Sequence, residues 1–233
     1  MDSLNSEISH CWAGCHQIAR WNAELHSTSA TEIIEWALTQ DQRAIVSTNF
    51  APYAAVLLHL CVRVKRDIPV VWVDHGYNRP ATYRHAEALK KLLNLNLNIY
   101  LPRLTAAHRN AIYGDLPSAG NDADLQQFSM LMKLEPFQRA VKELAPKVWI
   151  AAVRRVQNGN RASLDIVSAD ANFGTLKVSP VFYWTDAEME SYLKQNNLPS
   201  ERDYFDPTKA DGKHECGLHV ARSAHRILYE TTP

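Results

Sequence analysis

One cysteine near the carboxyl end of the chain lies among basic side chains. Cys216 belongs to the segment Lys213-His214-Glu215-Cys216-Gly217-Leu218-His219. Neighbouring positive charge favours the thiolate, which is the nucleophilic form of cysteine. The segment therefore predicts a reactive thiol on a polar stretch that a second protein can reach. Spacing alone leaves two alternatives open: an inert thiol, and a zinc site made by His214, Cys216 and His219, for which the sequence offers no fourth ligand.

A second group of residues has the chemistry of an anion site. Arg154, Arg155 and Arg161 lie within eight residues of one another, directly after an apolar run, and Gln157 lies between them. Guanidinium groups form paired hydrogen bonds to phosphate or sulfate. Lys177, near the end of another apolar run, would add a fourth cation. On composition alone, a solvated surface turn explains the arginines equally well.

A third polar segment, Ser47-Thr48-Asn49-Phe50, lies between an apolar run and a helical pattern. Hydroxyl groups and unpaired backbone N–H groups at the start of a helix suit an anion, because the helix dipole is favourable there. A plain N-cap is the alternative interpretation. The sequence contains no glycine-rich Walker pattern, which disfavours a P-loop NTPase.

The elements that must position these residues alternate between strands and helices. Apolar runs typical of strands occur at 43–47, 69–73, 95–100 and 147–153, with segments of helical spacing between them. This order predicts an α/β fold with a doubly wound, mostly parallel sheet. Ligands of such sheets bind at the carboxyl ends of the strands. We expect an α/β domain over residues 1–198 that is large enough to bind a nucleotide, and a mobile tail over 199–233 that carries Cys216.

Composition and charge exclude several classes of protein. The 233 residues include 25 Lys and Arg against 25 Asp and Glu, and 46% of the chain is hydrophobic. A zero net charge disfavours a nucleic-acid partner that would need excess positive charge. The longest apolar runs fall far short of the roughly 18 residues of a membrane-spanning helix. The polar amino-terminal segment lacks signal-peptide features, so we expect a cytoplasmic protein whose four cysteines are thiols.

From about residue 47 to residue 219 these segments resemble, in order, the phosphoadenosine phosphosulfate (PAPS) reductase family. Asp74-His75-Gly76-Tyr77 looks like its Asp-x-Gly-Tyr segment, and Lys133-Leu134-Glu135-Pro136 resembles its Lys-x-Glu-Pro element. The arginines from Arg154 to Arg161 match its arginine loop. Residues 215–219 match its terminal cysteine motif, which is the most specific of these signals.

The resemblance implies a reaction and a fold. The Cys216 thiolate would attack the sulfur of PAPS, expel adenosine 3′,5′-bisphosphate and leave an S-sulfocysteine, from which thioredoxin or glutaredoxin would release sulfite. The implied fold is the adenine-nucleotide α-hydrolase-like sheet, commonly as a homodimer. No bound cofactor or metal is expected, and the paired cysteines that hold an iron–sulfur cluster in most adenylylsulfate (APS) reductases are absent from the sequence. The implied substrate-binding residues are Ser47, Thr48, Asn49, Asp74, Gly76, Tyr77, Lys133, Arg154, Arg155, Gln157, Arg161, Lys177 and His219.

The sequence also departs from the family pattern in two places. The loop Asn49-Phe50-Ala51-Pro52 has alanine where members usually carry glycine, and the span from Tyr204 to Cys216 is shorter than in most members. These departures keep two alternatives open: a cluster-free APS reductase, and a catalytically silent nucleotide-binding homologue. Retention of the complete cysteine motif argues against the silent homologue. An ATP pyrophosphatase of related fold is disfavoured, because its Ser-Gly-Gly-x-Asp-Ser loop is missing.

Overall fold

The computed structural model describes residues 14, 16–117, 121–157 and 164–207. A first helix, α1, includes residues 16–25. The other helices are α2 Ala30–Gln40, α3 Ala54–Val64, α4 Pro80–Leu93, α5 Ala106–Tyr113, α6 Asp122–Ser129, α7 Glu135–Leu144 and α8 Asp186–Gln195. The strands are β1 Ala44–Thr48, β2 Pro69–Val73, β3 Asn96–Tyr100, β4 Val148–Ile150, β5 Val167–Asp170 and β6 Thr175–Val178. A π-helical turn, Met130–Leu134, joins α6 to α7, and a 3-10 turn, Arg155–Gln157, follows β4.

The described strands form one sheet in the order β3-β2-β1-β4-β6-β5. Every pair is parallel except β5 with β6, which is antiparallel. In the centre, Val46 of β1 lies opposite Val70 of β2 on one side and Ile150 of β4 on the other. The predicted α/β fold with a mostly parallel sheet is thereby confirmed, and the antiparallel edge strand is an addition to it.

The strand order reverses beside β1. The chain runs outward from β1 through β2 to β3 and then returns to the other side of β1 as β4. Doubly wound sheets bind ligands at such a reversal, in the crevice outside the carboxyl ends of the two diverging strands. The loop that begins after β1 and the segment that follows β4 therefore border the same crevice.

The central strands are buried on both faces, and their apolar sequences account for this. Parallel strands covered on both sides are typically continuous runs of branched apolar residues. Ile45, Val46 and Ile150 are almost fully inaccessible to solvent, and Trp149 of β4 packs against Phe137 of α7 with ring centroids 4.9 Å apart. This core holds the carboxyl ends of the strands in fixed positions. Within the described ranges, every helix is too short or too polar to cross a membrane.

Residues 199–207, which we term the C-terminal strap, are attached to the domain. Ser200 Oγ donates a hydrogen bond to the carbonyl oxygen of Pro52 at 2.8 Å. Arg202 pairs with Glu190 of α8, and Asp203 of the strap pairs with Arg79. The first nine residues of the predicted mobile tail are thus part of the described domain. The side chains of Ser200, Arg202 and Asp203 have partners on the domain, and the mobility predicted for the tail from residue 199 stays a prediction. The rest of that tail, residues 208–233, lies outside the described residues.

Candidate functional site

The side chains at the end of β1 fold the following loop. Ser47 Oγ accepts a hydrogen bond from Trp149 Nε1 at 2.8 Å, which ties β1 to β4. Thr48 Oγ1 accepts from the backbone N–H of Phe50 at 3.1 Å, and Asn49 Oδ1 accepts from that of Ala51 at 3.2 Å. Such side-chain-to-backbone bonds shape tight turns. The loop is therefore ordered by the polar residues that the sequence singles out.

Phe50 lies in the left-handed backbone region, with φ at +51°. Its ring is fully buried and packs edge-on against Trp72 at a centroid distance of 4.9 Å. Burial of this ring offsets the cost of a conformation that residues other than glycine seldom adopt. Ala51, which stands where the family usually has glycine, does not have a positive φ. The alanine consequently causes no backbone strain at that position.

The loop after β2 is organised around one carboxylate oxygen. Asp74 Oδ1 accepts hydrogen bonds from the Gly76 N–H at 3.0 Å, from Asn78 Nδ2 at 2.9 Å and from the Tyr83 hydroxyl at 2.8 Å. Burial and the bond to Asp74 raise the pKa of Tyr83 to about 12, so this hydroxyl remains a donor. Gly76 has φ at +77°, and a Cβ there would lie 3.3 Å from that of Ala106. The turn therefore requires glycine for both backbone conformation and space.

Tyr77 fastens the same loop to α5. Its hydroxyl lies 2.6 Å from Asn110 Oδ1 and 3.1 Å from the carbonyl oxygen of Ala106. Its ring also packs against the buried Phe128 of α6 at a centroid distance of 5.4 Å. Asp74, Gly76 and Tyr77 thus shape the loop, and their predicted contact with substrate stays a prediction.

His75, at the variable position of the Asp-x-Gly-Tyr segment, is a buried polar residue that the sequence analysis did not select. Burial, reinforced by the nearby Lys133 ammonium, lowers its pKa to about 4. The ring is therefore neutral at ordinary pH. Because Nδ1 accepts a hydrogen bond from the Tyr77 N–H at 3.1 Å, the single ring proton must be on Nε2. His75 is an uncharged donor with a defined tautomer.

Lys133 lies on the π-helical turn and forms a buried ion pair with Asp206 of the C-terminal strap. The side chains of the two residues are only 5% and 3% exposed. Single π-helical turns within helices frequently occur at functional sites, because they displace side chains from the regular helical spacing. Here the turn places a lysine where the sheet, the helical layer and the strap meet.

These residues surround an open pocket of about 430 Å³ at the carboxyl ends of β1 and β2. It contains four of the predicted site residues, a neutral imidazole and two side chains of the strap. Its lining residues are Ser47, Thr48, Asn49, Val71, Trp72, Val73, His75, Asn78, Lys133, Phe137, Tyr204 and Asp206. The mixture of apolar walls with a few polar groups is typical of a small-molecule site.

Among the described residues of the arginine segment, Arg154, Arg155 and Gln157 follow the carboxyl end of β4 and are absent from this lining. Arg154 is buried, and its guanidinium lies 5.1 Å from the Tyr53 ring centroid. One of its nitrogens donates to Asp186 at 2.7 Å and another to the Trp184 carbonyl at 3.1 Å. Arg155 is exposed, and its backbone N–H donates to the carbonyl oxygen of Phe182 at 2.8 Å. In this arrangement Arg154 anchors α8, and Arg155 is the more accessible of the two cations.

The remaining predicted residues fall into two groups. Gln157 Oε1 accepts from the Arg154 N–H at 3.1 Å, and Lys177 Nζ lies 4.6 Å from the Trp149 ring centroid. Arg161, Cys216 and His219 lie outside the described residues, so the predicted nucleophile is not placed. Tyr204 and Asp206 line the pocket without having been predicted, since neither belongs to one of the motifs that carry the resemblance. Across the described ranges, no group of three or more His, Cys, Asp or Glu side chains could hold a metal ion.

Comparison with known proteins gives consistent results for sequence and fold. Residues 43–206 match the family model of the phosphoadenosine phosphosulfate reductase domain. A phosphoadenosine 5′-phosphosulfate reductase of Synechococcus is 34% identical over 224 residues, covering 85% of this chain and 95% of the relative. One of Vibrio cholerae is 41% identical over 179 residues, covering 76% of this chain and 70% of the relative.

Solved structures give the same fold. A phosphoadenylyl-sulfate reductase from Candida auris, crystallised as a phosphate complex, has a TM-score of 0.68 with 24% sequence identity over 78% of this chain and 87% of its own. FMN adenylyltransferase from Candida glabrata, in complex with FAD and pyrophosphate, has a TM-score of 0.54 with 16% identity over 78% of this chain and 59% of its own. At these identities the likeness concerns the fold alone, and it confirms the α/β architecture.

Proposed function

Because the chain belongs to the phosphoadenosine phosphosulfate reductase family, we propose that it reduces PAPS to sulfite and adenosine 3′,5′-bisphosphate in sulfate assimilation. The observation that carries most weight is the pocket at the reversal of the strand order, which holds a buried lysine and the polar loop after β1. A phosphate- and sulfate-bearing nucleotide is the class of ligand that such a site suits. The electron donor in the proposal is thioredoxin or glutaredoxin.

The described residues bind and orient the nucleotide in this proposal. The loop after β1 lies at the end of a parallel strand and before a helix, where backbone N–H groups favour an anion. Lys133 supplies a full positive charge, and His75 supplies an uncharged N–H donor, both along the pocket. Arg155, Arg161 and Lys177 lower the repulsion between the anionic substrate and an approaching thiolate.

The chemistry is two successive displacements at sulfur. The Cys216 thiolate attacks the sulfur of PAPS, an S–S bond forms, and the S–O bond breaks with its electron pair leaving on adenosine 3′,5′-bisphosphate. A thiolate of the redoxin then attacks Cys216 Sγ, and sulfite leaves with the electron pair of the broken S–S bond. The second redoxin thiol resolves the mixed disulfide, so Cys216 is a thiol again and the redoxin is oxidised by two electrons.

The position of Cys216 in the chain suits a nucleophile that must meet two partners in turn. It follows Pro207, the last described residue, by nine positions. An extended chain of that length spans about 30 Å, enough for contact with either the pocket or solvent. Family resemblance further supports a cytoplasmic homodimer without an iron–sulfur cluster, in which His219 assists substrate binding.

A two-substrate assay tests the function. Sulfite release is measured with PAPS and with APS, each with thioredoxin, with glutaredoxin and with neither. We expect release from PAPS that depends on a redoxin. A clear preference for APS would overturn the substrate assignment, and absence of sulfite from both nucleotides would support a catalytically silent homologue.

Mass spectrometry tests the intermediate. After mixing with PAPS and no redoxin, we expect a sulfonate adduct on Cys216 that disappears in the variant Cys216→Ser. The matched control is Cys61→Ala, since Cys61 is buried in the core and burial raises the pKa of its thiol, which makes it unreactive. An adduct that persists in Cys216→Ser would assign the nucleophile to another residue.

A further inference from the structure

We propose that Asp206 is a built-in competitor for the substrate, whose carboxylate occupies the anion subsite of Lys133 until an anionic oxygen of the ligand replaces it. The identity of the replacing ligand as a nucleotide rests on the proposed function, whereas the subsite itself rests on the geometry of the described residues. A sulfate or phosphate group has the charge and the acceptor oxygens that the exchange requires.

The burial of the Lys133–Asp206 pair is the first step of the argument. With side chains only 5% and 3% exposed, both charges are largely removed from solvent, and each compensates the other. Removing one member of a buried pair leaves an uncompensated charge, which is strongly unfavourable. Lys133 therefore requires an anion in every conformation in which it stays buried, and the strap supplies one.

A second contact places the strap on another predicted substrate residue. The Tyr204 hydroxyl accepts a hydrogen bond from Asn49 Nδ2 at 2.8 Å and lies 3.5 Å from Asp206 Oδ2. Both Tyr204 and Asp206 line the pocket beside Asn49 and Lys133. Two strap side chains thus occupy donors that family resemblance assigns to the nucleotide.

His75 belongs to the same subsite as a donor that stays in place. Its ring lines the pocket, and both Lys133 and Asp206 lie close enough to influence its protonation. The proton on Nε2 gives an N–H donor that carries no charge. An incoming anion would therefore meet one cation and one neutral donor after Asp206 leaves.

The other two ion pairs of the strap are exposed to solvent. The side chains of Arg79 and Asp203 are 52% and 51% exposed, and those of Arg202 and Glu190 are 71% and 30% exposed. Ion pairs in contact with solvent contribute little to stability. Once Lys133 has another anion, its ion pair no longer holds the strap. Because Cys216 follows Asp206 by ten residues in the chain, exchange couples the arrival of the substrate to a strap on the amino-terminal side of the nucleophile.

The test compares Asp206→Asn with wild type by isothermal titration of inorganic sulfate and of adenosine 3′,5′-bisphosphate. If the Asp206 carboxylate is paired with Lys133 in about nine-tenths of the molecules, removing that carboxylate lowers the apparent Kd of both probes about tenfold. Asp203→Asn is the matched control, with the same change of charge on the same strap but at an exposed pair, and its Kd should stay within about twofold of wild type. Unchanged or weaker binding by Asp206→Asn would overturn the proposal. Sulfate titration needs no turnover, so it separates this outcome from a failure of the proposed function.

Asp206→Asn removes the carboxylate beside a buried ammonium and can fail to fold. In that case recovery of a cooperative unfolding transition on addition of sulfate supports the proposal, because the added anion replaces the missing carboxylate. Where sulfate does not restore folding, the double variant Lys133→Met with Asp206→Leu decides, since an apolar pair can replace a buried ion pair. We expect it to fold and to lose measurable binding of inorganic sulfate, because the apolar pair leaves no cation for the anion at this position. Sulfate affinity equal to wild type would exclude the subsite.

Discussion

At the scale of single residues, the charge of His75 depends on the ion pair beside it. Asp206 pairs with the buried Lys133 ammonium, and burial together with that ammonium lowers the pKa of His75. A second cation in this volume would compete for the same carboxylate. His75 is therefore neutral at neutral pH, beside the Lys133–Asp206 ion pair.

The depressed pKa of His75 predicts how stability depends on pH. The folded protein binds this proton only near pH 4, whereas the unfolded chain binds it near 6.5, so acidification favours the unfolded chain. The contribution of His75 to the free energy of unfolding is fully present above pH 6.5. It falls as the pH is lowered towards 4, by up to roughly 3 kcal/mol. His75→Asn, whose Oδ1 can replace Nδ1 as the acceptor of the Tyr77 N–H, should flatten that decline.

Urea unfolding between pH 7 and 4 measures the effect. The slope should become shallower without vanishing, because burial also lowers the pKa of His59 and of His85 and contributes with the same sign. An identical decline in wild type and His75→Asn would show that the pKa of His75 is not lowered in the folded state.

Residues of short local segments were selected from the sequence and lie together in the pocket. Ser47, Thr48, Asn49 and Lys133 were each selected from a short pattern, and all four line the pocket. Asp206 was missed because its partner lies 73 positions earlier in the chain, and no pattern links the two. The burial of Arg154 was equally hidden, since its partner Asp186 belongs to a helix that follows much later.

At the scale of elements, hydrophobic periodicity predicted the main strands and several helices. The predicted strand at 95–100 corresponds to β3 Asn96–Tyr100, and the predicted run at 147–153 contains the shorter β4 Val148–Ile150. Two features have no periodic signature. The π-helical turn differs from an α-helix by its wider backbone hydrogen-bond spacing, and β5 is only four residues long. Tertiary packing determines whether the π-helical turn and the short strand form.

The end of α7 offers a test of element stability. Its C-cap residue, Ala145, has φ at +42°, a left-handed conformation that usually carries glycine at this position. Ala145→Gly should raise the free energy of unfolding by about 1 kcal/mol, because glycine adopts this conformation without the steric cost that a Cβ imposes. The measurement is urea unfolding at pH 7.

The control is the same substitution at a helical position. Ala88 is exposed within α4, and Ala88→Gly should lower stability by about 1 kcal/mol. Opposite signs for one chemical change would tie the gain at Ala145 to its backbone conformation. A loss of stability at both positions would contradict that account.

At the scale of the whole molecule, a zero net charge hides a local concentration of cations. The 25 basic residues are balanced by 25 acidic ones, yet Lys133 lines the pocket, and Arg154 and Arg155 follow the carboxyl end of β4. One continuous hydrophobic core joins the central strands to α2, α3 and α7. We therefore expect ligand binding in the crevice to stabilise this core as one cooperative unit.

This linkage provides a test of Arg155. Adenosine 3′,5′-bisphosphate at 100 times its Kd should stabilise the wild type by about 2.7 kcal/mol. Arg155→Ala removes an exposed guanidinium beside the crevice and leaves the backbone bond to Phe182 intact, so stability without ligand should be unchanged. If the guanidinium binds a phosphate, affinity falls about tenfold and the stabilisation at the same ligand concentration falls by about 1.4 kcal/mol.

Arg66→Ala, an equally exposed substitution between α3 and the amino end of β2, should retain the full ligand-induced rise in melting temperature. Equal rises in the two variants would remove Arg155 from the site, whereas a smaller rise only for Arg155→Ala would place the nucleotide across the β1–β4 crevice.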